Sequence, residues 1–256
     1  MIDSFYVYVC AFAFVAMFGG SLVGIFTARA LPGHHLSSES ATAVKLAAAI
    51  VVSLTSLVLA LMLSSANSSF SVNAAIVKKL GSDFIHLDHM LRTYGPEASE
   101  TRANLRAYAT KKNEELFPGS STAPTDNRET ADLLDTLLQS ILALSPSEQR
   151  QAPLVAQALS ITTNIYAERW LLWESPGTNV PVQFLFVLIF WLALIFVSFG
   201  LFAPVNSTVV MSFFLSSLAV TGAILMILEL GDPMHHSWLR VSSEPLRSAL
   251  VEIRRP

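Results

Sequence analysis

Four long apolar segments constrain the fold of this chain more than any other feature. They are residues 5–27, 46–66, 182–202 and 208–228, and none of the four contains an acidic or basic residue. About 20 residues of α-helix, at ~1.5 Å per residue, are enough to cross a hydrocarbon core of ~30 Å. The sequence therefore predicts an all-α integral membrane protein with four transmembrane helices.

The composition agrees with a membrane protein and argues against a nucleic-acid-binding one. Hydrophobic residues make up 52% of the chain and charged residues only 14%, which is unusual for a soluble domain. The net charge is −3, and the basic residues occur singly or in pairs rather than in a long basic run. We expect the lipid bilayer to be the main partner and expect no nucleic-acid partner.

The spans divide the chain into four regions. Residues 1–66 are predicted to form one transmembrane hairpin, and residues 182–229 a second. Between them, residues 67–181 are predicted to form a soluble helical domain, and residues 230–256 a polar tail. The predicted fold is therefore two transmembrane hairpins with a helical soluble domain inserted between the second and third transmembrane helices.

The distribution of basic residues predicts the orientation of the chain. With four crossings, both termini and the inserted domain share one side of the membrane. That side carries every Lys and Arg of the sequence except Arg29 and Lys45. Because basic residues near span ends favour the cytoplasmic side, we expect cytoplasmic termini and a cytoplasmic soluble domain.

Helical periodicity continues beyond the second span. Apolar residues recur every three to four positions from Ile76 to Leu91, which predicts that the helix extends to the sequence Tyr94-Gly95-Pro96. Further helices are predicted from Pro96 to Leu116, and around 134–142 and 154–173. The loop over 117–125 ends at Thr125 and Asp126, either of which can cap the next helix.

Three histidine pairs raise the question of a metal site, namely His34-His35, His86 with His89, and His235-His236. Neighbouring histidines on a helix point in different directions, and His86 and His89 have only Asp83 near their face. We therefore interpret them as structural or solvated histidines and predict no metal and no cofactor. The sequence contains no catalytic motif of the hydrolase, zinc-protease, nucleotide-binding or redox type, so we do not expect an enzyme.

Small residues at helical spacing predict close helix packing in the first and fourth spans. In the first span they are Ala16, Gly20 and Gly24, and in the fourth span they are Ser212 and Ser216. Such residues allow two helix backbones to approach, and their hydroxyls bond across the contact or back to their own helix.

The second span carries a comparable stripe formed by Ala49, Ser53, Ser56 and Ala60. The stripe is open to two interpretations, because it can serve helix packing or can line a narrow pore on the axis of an oligomer. The absence of acidic and basic residues within the spans argues against a proton pump or an ion-coupled transporter.

Five sequence runs resemble the bacterial bestrophin-like domain family. They are LPGHHLSSE (31–39), SSANSSF (64–70), LDHMLRTYGPEA (87–98), FGLFAPVNST (199–208) and VSSEPLRSAL (241–250). The resemblance implies a bacterial inner-membrane protein and a link to bestrophins, which are pentameric anion channels with four membrane helices and a cytosolic helical domain. It implies an oligomeric channel by architecture rather than through a transferred set of site residues.

The sequence also departs from that family and from bestrophins. The turn after the fourth span is Asp232-Pro233-Met234, followed by His235-His236 where the family has a glycine. The acidic calcium cluster and the Arg-Phe-Pro-Thr run of eukaryotic bestrophins have no counterpart here. The leading hypothesis is a homo-oligomeric anion channel, and the alternative is an accessory or scaffold subunit of a larger membrane complex.

Overall fold

The structure is a computed structural model, and it describes residues 4–32, 37–118, 127–174, 182–231 and 239–255. Within these residues the chain is helical and contains no strand, which confirms the predicted all-α class. The α-helices are α1 (Ser4–Ala30), α2 (Ser38–Tyr94), α3 (Ser99–Leu116), α4 (Asn127–Leu142), α5 (Gln151–Glu174), α6 (Val182–Leu201), α7 (Ser207–Gly231) and α8 (Glu244–Ile253). A short 3₁₀ turn, Pro96–Ala98, precedes α3.

Four of these helices are long and apolar enough to cross a membrane, and they correspond to the four predicted spans. They are α1, α2, α6 and α7. The second of them is much longer than a span, because α2 runs for 57 residues without interruption. Its end at Tyr94 agrees with the sequence, since Gly95 adopts a φ of 127° and Pro96 follows.

The chain divides into two compact units. The first contains residues 1–70 and 177–240, and the second contains residues 71–176 and 241–256. Helix α2 contributes residues through Phe70 to the first unit and residues from Ser71 onward to the second.

In the first unit, α1 packs most extensively against α6 and next against α7, so its main partner is not the adjacent helix in the sequence. The largest apolar residues of this core are contributed by α1, α2, α6 and α7, and include Met17, Met62, Leu188, Phe196 and Ile224. Outside this core the helices expose many large apolar side chains, as expected for surfaces that contact lipid.

The second unit has a conventional buried core. Its core includes four residues of α2 that are at most 1% exposed and whose spacing predicted the continuation of the helix, namely Leu80, Phe84, Leu87 and Leu91. The ring of Phe84 meets the ring of Tyr108 on α3 edge to face, with 5.7 Å between centroids. Leucines and isoleucines of α3, α4 and α5 complete the core, namely Leu105, Leu134, Leu137, Ile141 and Ile165.

The C-terminal residues differ from the predicted polar tail. Residues 241–256 group with the second unit, and α8 buries an apolar face made of Leu246, Ala249, Leu250 and Ile253. These positions have the spacing of one helix face, and Pro245 lies in the first turn of the helix, where proline is tolerated.

Several sequence expectations lie outside the described residues. They concern the pairs His34-His35 and His235-His236, the turn Asp232-Pro233-Met234, and the caps at Thr125 and Asp126. The remaining pair, His86 and His89, is exposed on α2, and no cluster of three or more metal-binding side chains occurs in the described part of the chain.

Candidate functional site

Helix α2 packs into the first unit along one side only. Within the span, Ala48, Thr55, Met62 and Ala66 are buried, and they are separated by seven or four positions. Since seven residues make about two helical turns, these side chains lie on one face. Most of the remaining surface of the span is exposed in the single chain.

The predicted stripe lies on a second face of α2. Ala49, Ser53, Ser56 and Ala60 are all exposed, and their steps of four, three and four residues keep them aligned along the helix. At ~100° per residue, this face is rotated by roughly 120° from the packed face. The stripe therefore contacts neither the core of its own unit nor a buried partner helix.

A third face of α2 is bulky and aliphatic. It consists of Leu46, Ile50, Leu54, Leu57 and Leu61, whose exposures range from 49% to 64%. A surface of this type suits lipid or an apolar neighbour, because lipid tails offer no hydrogen bonds. The two exposed faces of α2 therefore differ in the size and the polarity of their side chains.

The hydroxyl groups of the spans also differ in their hydrogen bonding. The Thr55 hydroxyl donates to the carbonyl of Val51 at 2.7 Å, and Ser198 donates in the same way to the carbonyl four residues before it. By contrast, Ser53 and Ser56 form no side-chain hydrogen bond with any described residue. Their hydroxyls are therefore available to a partner outside this chain.

The stripe contains no formal charge, and the nearest basic residue along the helix is Lys45, one turn before Ala49. No acidic or basic residue lies between Lys45 and Lys78, so its polarity comes only from hydroxyl dipoles and the backbone. Neutral dipoles interact with a passing ion without holding it tightly, which is what a conducting lining requires.

The small residues of α1 lie at a very close helix crossing. A Cβ built on Gly24 would lie 2.3 Å from the carbonyl oxygen of Val197, and one on Gly200 of α6 would lie 2.1 Å from the carbonyl oxygen of Ser21. Gly20 is less crowded, since its nearest atoms would be at 3.2 Å. These distances leave no room for a side chain at Gly24 or Gly200 without backbone movement.

The other residues predicted to serve helix packing are placed differently. Ala16 is half-buried and packs beside the core cluster of the first unit. Ser212 and Ser216 are exposed on α7, and the hydroxyl of Ser212 donates to the carbonyl of Thr208 at 2.9 Å. A packing role for these two serines requires a neighbouring subunit and stays a prediction.

The second unit contains a buried charge cluster that the sequence analysis missed. The ammonium of Lys79 lies 3.3 Å from Asp83 and also contacts Glu168 of α5, while the two carboxylate side chains are only 12% and 4% exposed. Burial and, to a smaller extent, the neighbouring Asp83 raise the pKa of Glu168 to about 7, against the opposing effect of its hydrogen bond with Lys79.

A second buried carboxylate, Asp88, connects α2 and α3. Its oxygens accept hydrogen bonds from Arg102 at 2.9 Å and from Arg92 at 3.2 Å. Arg92 also donates to the carbonyl of Arg255 at 3.1 Å, and Arg106 donates to the carbonyl of Ile253 at 2.8 Å. Arginines thus satisfy carbonyl groups at the C-terminal end of α8, where helices leave acceptors unpaired.

A third pair lies within α3. The ammonium of Lys112, 3% exposed, lies 2.7 Å from Glu115, and burial lowers the pKa of Lys112. Burial also raises the pKa of Tyr108, one turn earlier. Spacings of three or four residues hinted at Lys79–Asp83, Asp88–Arg92 and Lys112–Glu115, but only the tertiary structure shows which of these pairs are buried.

Comparisons with known proteins give a consistent family and fold. The model of the bestrophin-like domain family matches residues 15–246. A crystal structure of a variant bacterial bestrophin homologue from Klebsiella pneumoniae is 14% identical, with a TM-score of 0.65 over 95% of this chain and 97% of that one. Another variant of that homologue is 15% identical, with a TM-score of 0.66 over 94% and 96% of the two chains.

A further crystal structure, described only as that of a membrane protein variant, is 14% identical with a TM-score of 0.65 over 95% of this chain and 96% of that one. No curated protein matches the sequence. At these low sequence identities, the structural matches show the fold alone.

Proposed function

This chain belongs to the bestrophin-like domain family, and we propose that it is the subunit of a homo-oligomeric anion channel in the bacterial inner membrane. The observation that supports the proposal most is the exposed stripe Ala49, Ser53, Ser56 and Ala60 on α2. A small, hydroxyl-bearing face beside a bulky aliphatic one is poorly explained by lipid contact on both faces. An oligomer places the aliphatic face against lipid or a neighbour and the stripe on the central axis.

The proposed membrane arrangement has α1 with α2 and α6 with α7 as two transmembrane hairpins. The soluble helical region lies between the membrane-spanning part of α2 and α6, and both termini face the cytoplasm. The asymmetry of the basic residues supports this orientation, because only Arg29 and Lys45 fall on the opposite side.

Cysteine labelling tests the orientation. In a Cys10→Ala background, which removes the native thiol, a membrane-impermeant reagent added to intact cells should label Ser37→Cys and leave Ser121→Cys unlabelled. Both cysteines should react after the cells are permeabilised. Labelling of Ser121→Cys alone in intact cells would reverse the orientation.

The proposed conduction mechanism uses dipoles rather than charges. An anion that enters the axis exchanges part of its hydration for hydroxyl donors of Ser53 and Ser56, while Ala49 and Ala60 provide narrow apolar rings. Because no cationic side chain lies within the stripe itself, the anion also leaves readily. We therefore expect modest selectivity that favours weakly hydrated anions, and little dependence on calcium.

Reconstitution tests this function together with the oligomeric state. Mass measurement of the protein in mild detergent should give a homo-oligomer, and liposomes containing it should show anion flux above that of empty vesicles. Ser53→Leu or Ser56→Leu should change the relative permeability of anions, whereas Leu54→Ala, on the aliphatic face, should not.

The accessory-subunit alternative makes the opposite prediction. It expects no flux or current in liposomes of the purified protein across a range of salts and voltages, and isolation in a mixed complex with unlike partners. That combination would overturn the channel proposal.

A further inference from the structure

The contact between α2 and α5 in the second unit contains more negative charge than its cation can balance. Lys79 lies against both Asp83 and Glu168, so two carboxylates share one ammonium group. The cation itself is largely accessible, with 55% of its side chain exposed, whereas the Glu168 side chain is 4% exposed. The uncompensated charge therefore lies in the buried part of the cluster.

One oxygen of Glu168 is especially poorly solvated. Its Oε1 contacts Lys79, but its Oε2 is enclosed and has no hydrogen-bond partner among the described residues. Leaving a charged oxygen buried and unpaired is costly, and a carboxyl group in that position lowers the cost by taking up a proton.

The other groups near Glu168 do not supply the missing positive charge through a hydrogen bond in this cluster. From α3, Tyr108 lies close enough for ionised Glu168 to raise the pKa of its phenol, and Tyr108 is fully buried. On α5, Arg169 is adjacent in sequence and has an interaction of its own, but it forms no hydrogen bond with Oε2 of Glu168. Two residues earlier, Tyr166 contacts Asp135 of α4.

We propose that Asp83, Lys79 and Glu168 form a proton-binding site, in which Glu168 takes up a proton in the folded protein and so makes the attachment of α5 to α2 pH-dependent. The site lies at one end of the pair of helices. At the other end the amide of Gln151 donates to the carbonyl of Tyr94 at 3.1 Å, a contact without a titratable group. Proton uptake therefore acts on one end of the α2–α5 contact and leaves the other unchanged.

The raised pKa of Glu168, about 7 against an ordinary value near 4.5, fixes the sign of the effect. Because the folded state holds this proton more tightly than the unfolded state, stability falls as pH rises from the ordinary pKa to the raised one. Above that range Glu168 is ionised in both states and the penalty is constant. Lys79 stays protonated throughout, since its hydrogen bond with Glu168 raises its pKa.

The test is the thermal stability of the purified full-length protein at about pH 5.5 and about pH 8.5. Glu168→Gln is the key variant, because an amide has the shape of the protonated acid and no charge. At the higher pH the variant should match or exceed the wild-type melting temperature, and its difference between the two pH values should be smaller by about 3 °C or more.

The matched control is Glu129→Gln, which removes one carboxylate from the exposed Lys111–Glu129 pair. It should keep the wild-type pH dependence. If instead Glu168→Gln lowers the melting temperature by as much at high pH as at low pH, or by more, the Glu168 anion is an ordinary salt-bridge partner and the proposal is overturned.

A second measurement keeps the proposal testable if Glu168→Gln fails to fold. Asp83→Asn removes the neighbouring carboxylate, so Glu168 should lose its proton at a lower pH. Infrared difference spectra between the two pH values should show a protonated-carboxyl band in the wild type and a shift of its titration to lower pH in Asp83→Asn. The absence of such a band in the wild-type protein would contradict proton uptake, and neither measurement depends on channel activity.

Discussion

The two units of this chain use their small and polar residues in opposite ways. In the first unit, glycines bring two helix backbones into contact, and hydroxyls such as those of Thr55 and Ser198 bond back to their own helix, while Ser53 and Ser56 face outward from α2. In the second unit, buried carboxylates and basic side chains connect helices around a core of leucine and phenylalanine. Such a difference is expected between helices in lipid and helices in water, because lipid gives helices no hydrophobic reason to associate, whereas water does.

The largest effect is expected at Asp88 in the second unit. Asp88→Ala leaves Arg102, whose side chain is only 16% exposed, without its carboxylate, and also frees Arg92. We expect a loss of about 3 kcal/mol in the free energy of unfolding. Thermal melting should show this loss, and limited proteolysis should cut the released α8 segment sooner.

The matched control for this variant is Glu252→Gln, in the exposed Arg255–Glu252 pair of the same C-terminal segment. It should leave both the melting temperature and the proteolysis rate close to wild type. Equal effects of the two variants would mean that burial of the carboxylate does not matter.

A somewhat smaller effect is expected at the glycine crossing of the first unit. Gly24→Ala places a methyl group where the carbonyl oxygen of Val197 lies, so the helices must separate, at a cost of about 2 kcal/mol. Gly24→Leu should go further and disrupt oligomer formation. Thermal melting and size-exclusion chromatography in mild detergent measure both outcomes.

Gly222→Ala on α7 is the control, because nothing lies within 4 Å of a Cβ built there. Since alanine also favours helix more than glycine, this variant should be neutral or slightly stabilising. If Gly24→Ala behaves in the same way, the close crossing of α1 and α6 does not exist in the protein.

The smallest effect on the free energy of unfolding is expected at Glu129 in the second unit. Glu129→Gln breaks a pair in which Glu129 is 56% exposed, so we expect a change within about 0.5 kcal/mol at neutral pH. Thermal melting beside Asp88→Ala measures the contrast. A loss comparable to that of Asp88→Ala would show that exposed and buried pairs contribute alike.

The features that could be predicted from sequence are those set by neighbouring residues. The four apolar spans depend only on length and the absence of charge, and the end of α2 depends on Gly95 and Pro96. Membership of the bestrophin-like domain family was also predicted and is confirmed by the family match. The spacing of Leu80, Phe84 and Leu87 likewise predicted that α2 continues, and all three are buried.

The remaining features depend on partners distant in the sequence. Glu168 is 89 residues from Lys79, and nothing near it in the chain indicates that it is buried against that cation. The close packing at Gly200 could not be predicted from neighbouring residues, because the crowding there comes from the backbone of Ser21 on another helix. The spacing of its apolar residues could have predicted the buried face of α8. The polar composition of the C-terminal residues instead led to the prediction of a polar tail.

Thiol blocking of the reconstituted protein tests whether the exposed stripe on α2 lines an anion pore. In a Cys10→Ala background, Ser56→Cys should lose most of its anion flux when a charged thiol reagent reacts with it. Leu57→Cys, one residue away on the aliphatic face, should keep its flux after reaction. Block of Leu57→Cys alone, or full flux through completely labelled Ser56→Cys, would contradict a pore lined by this face of α2.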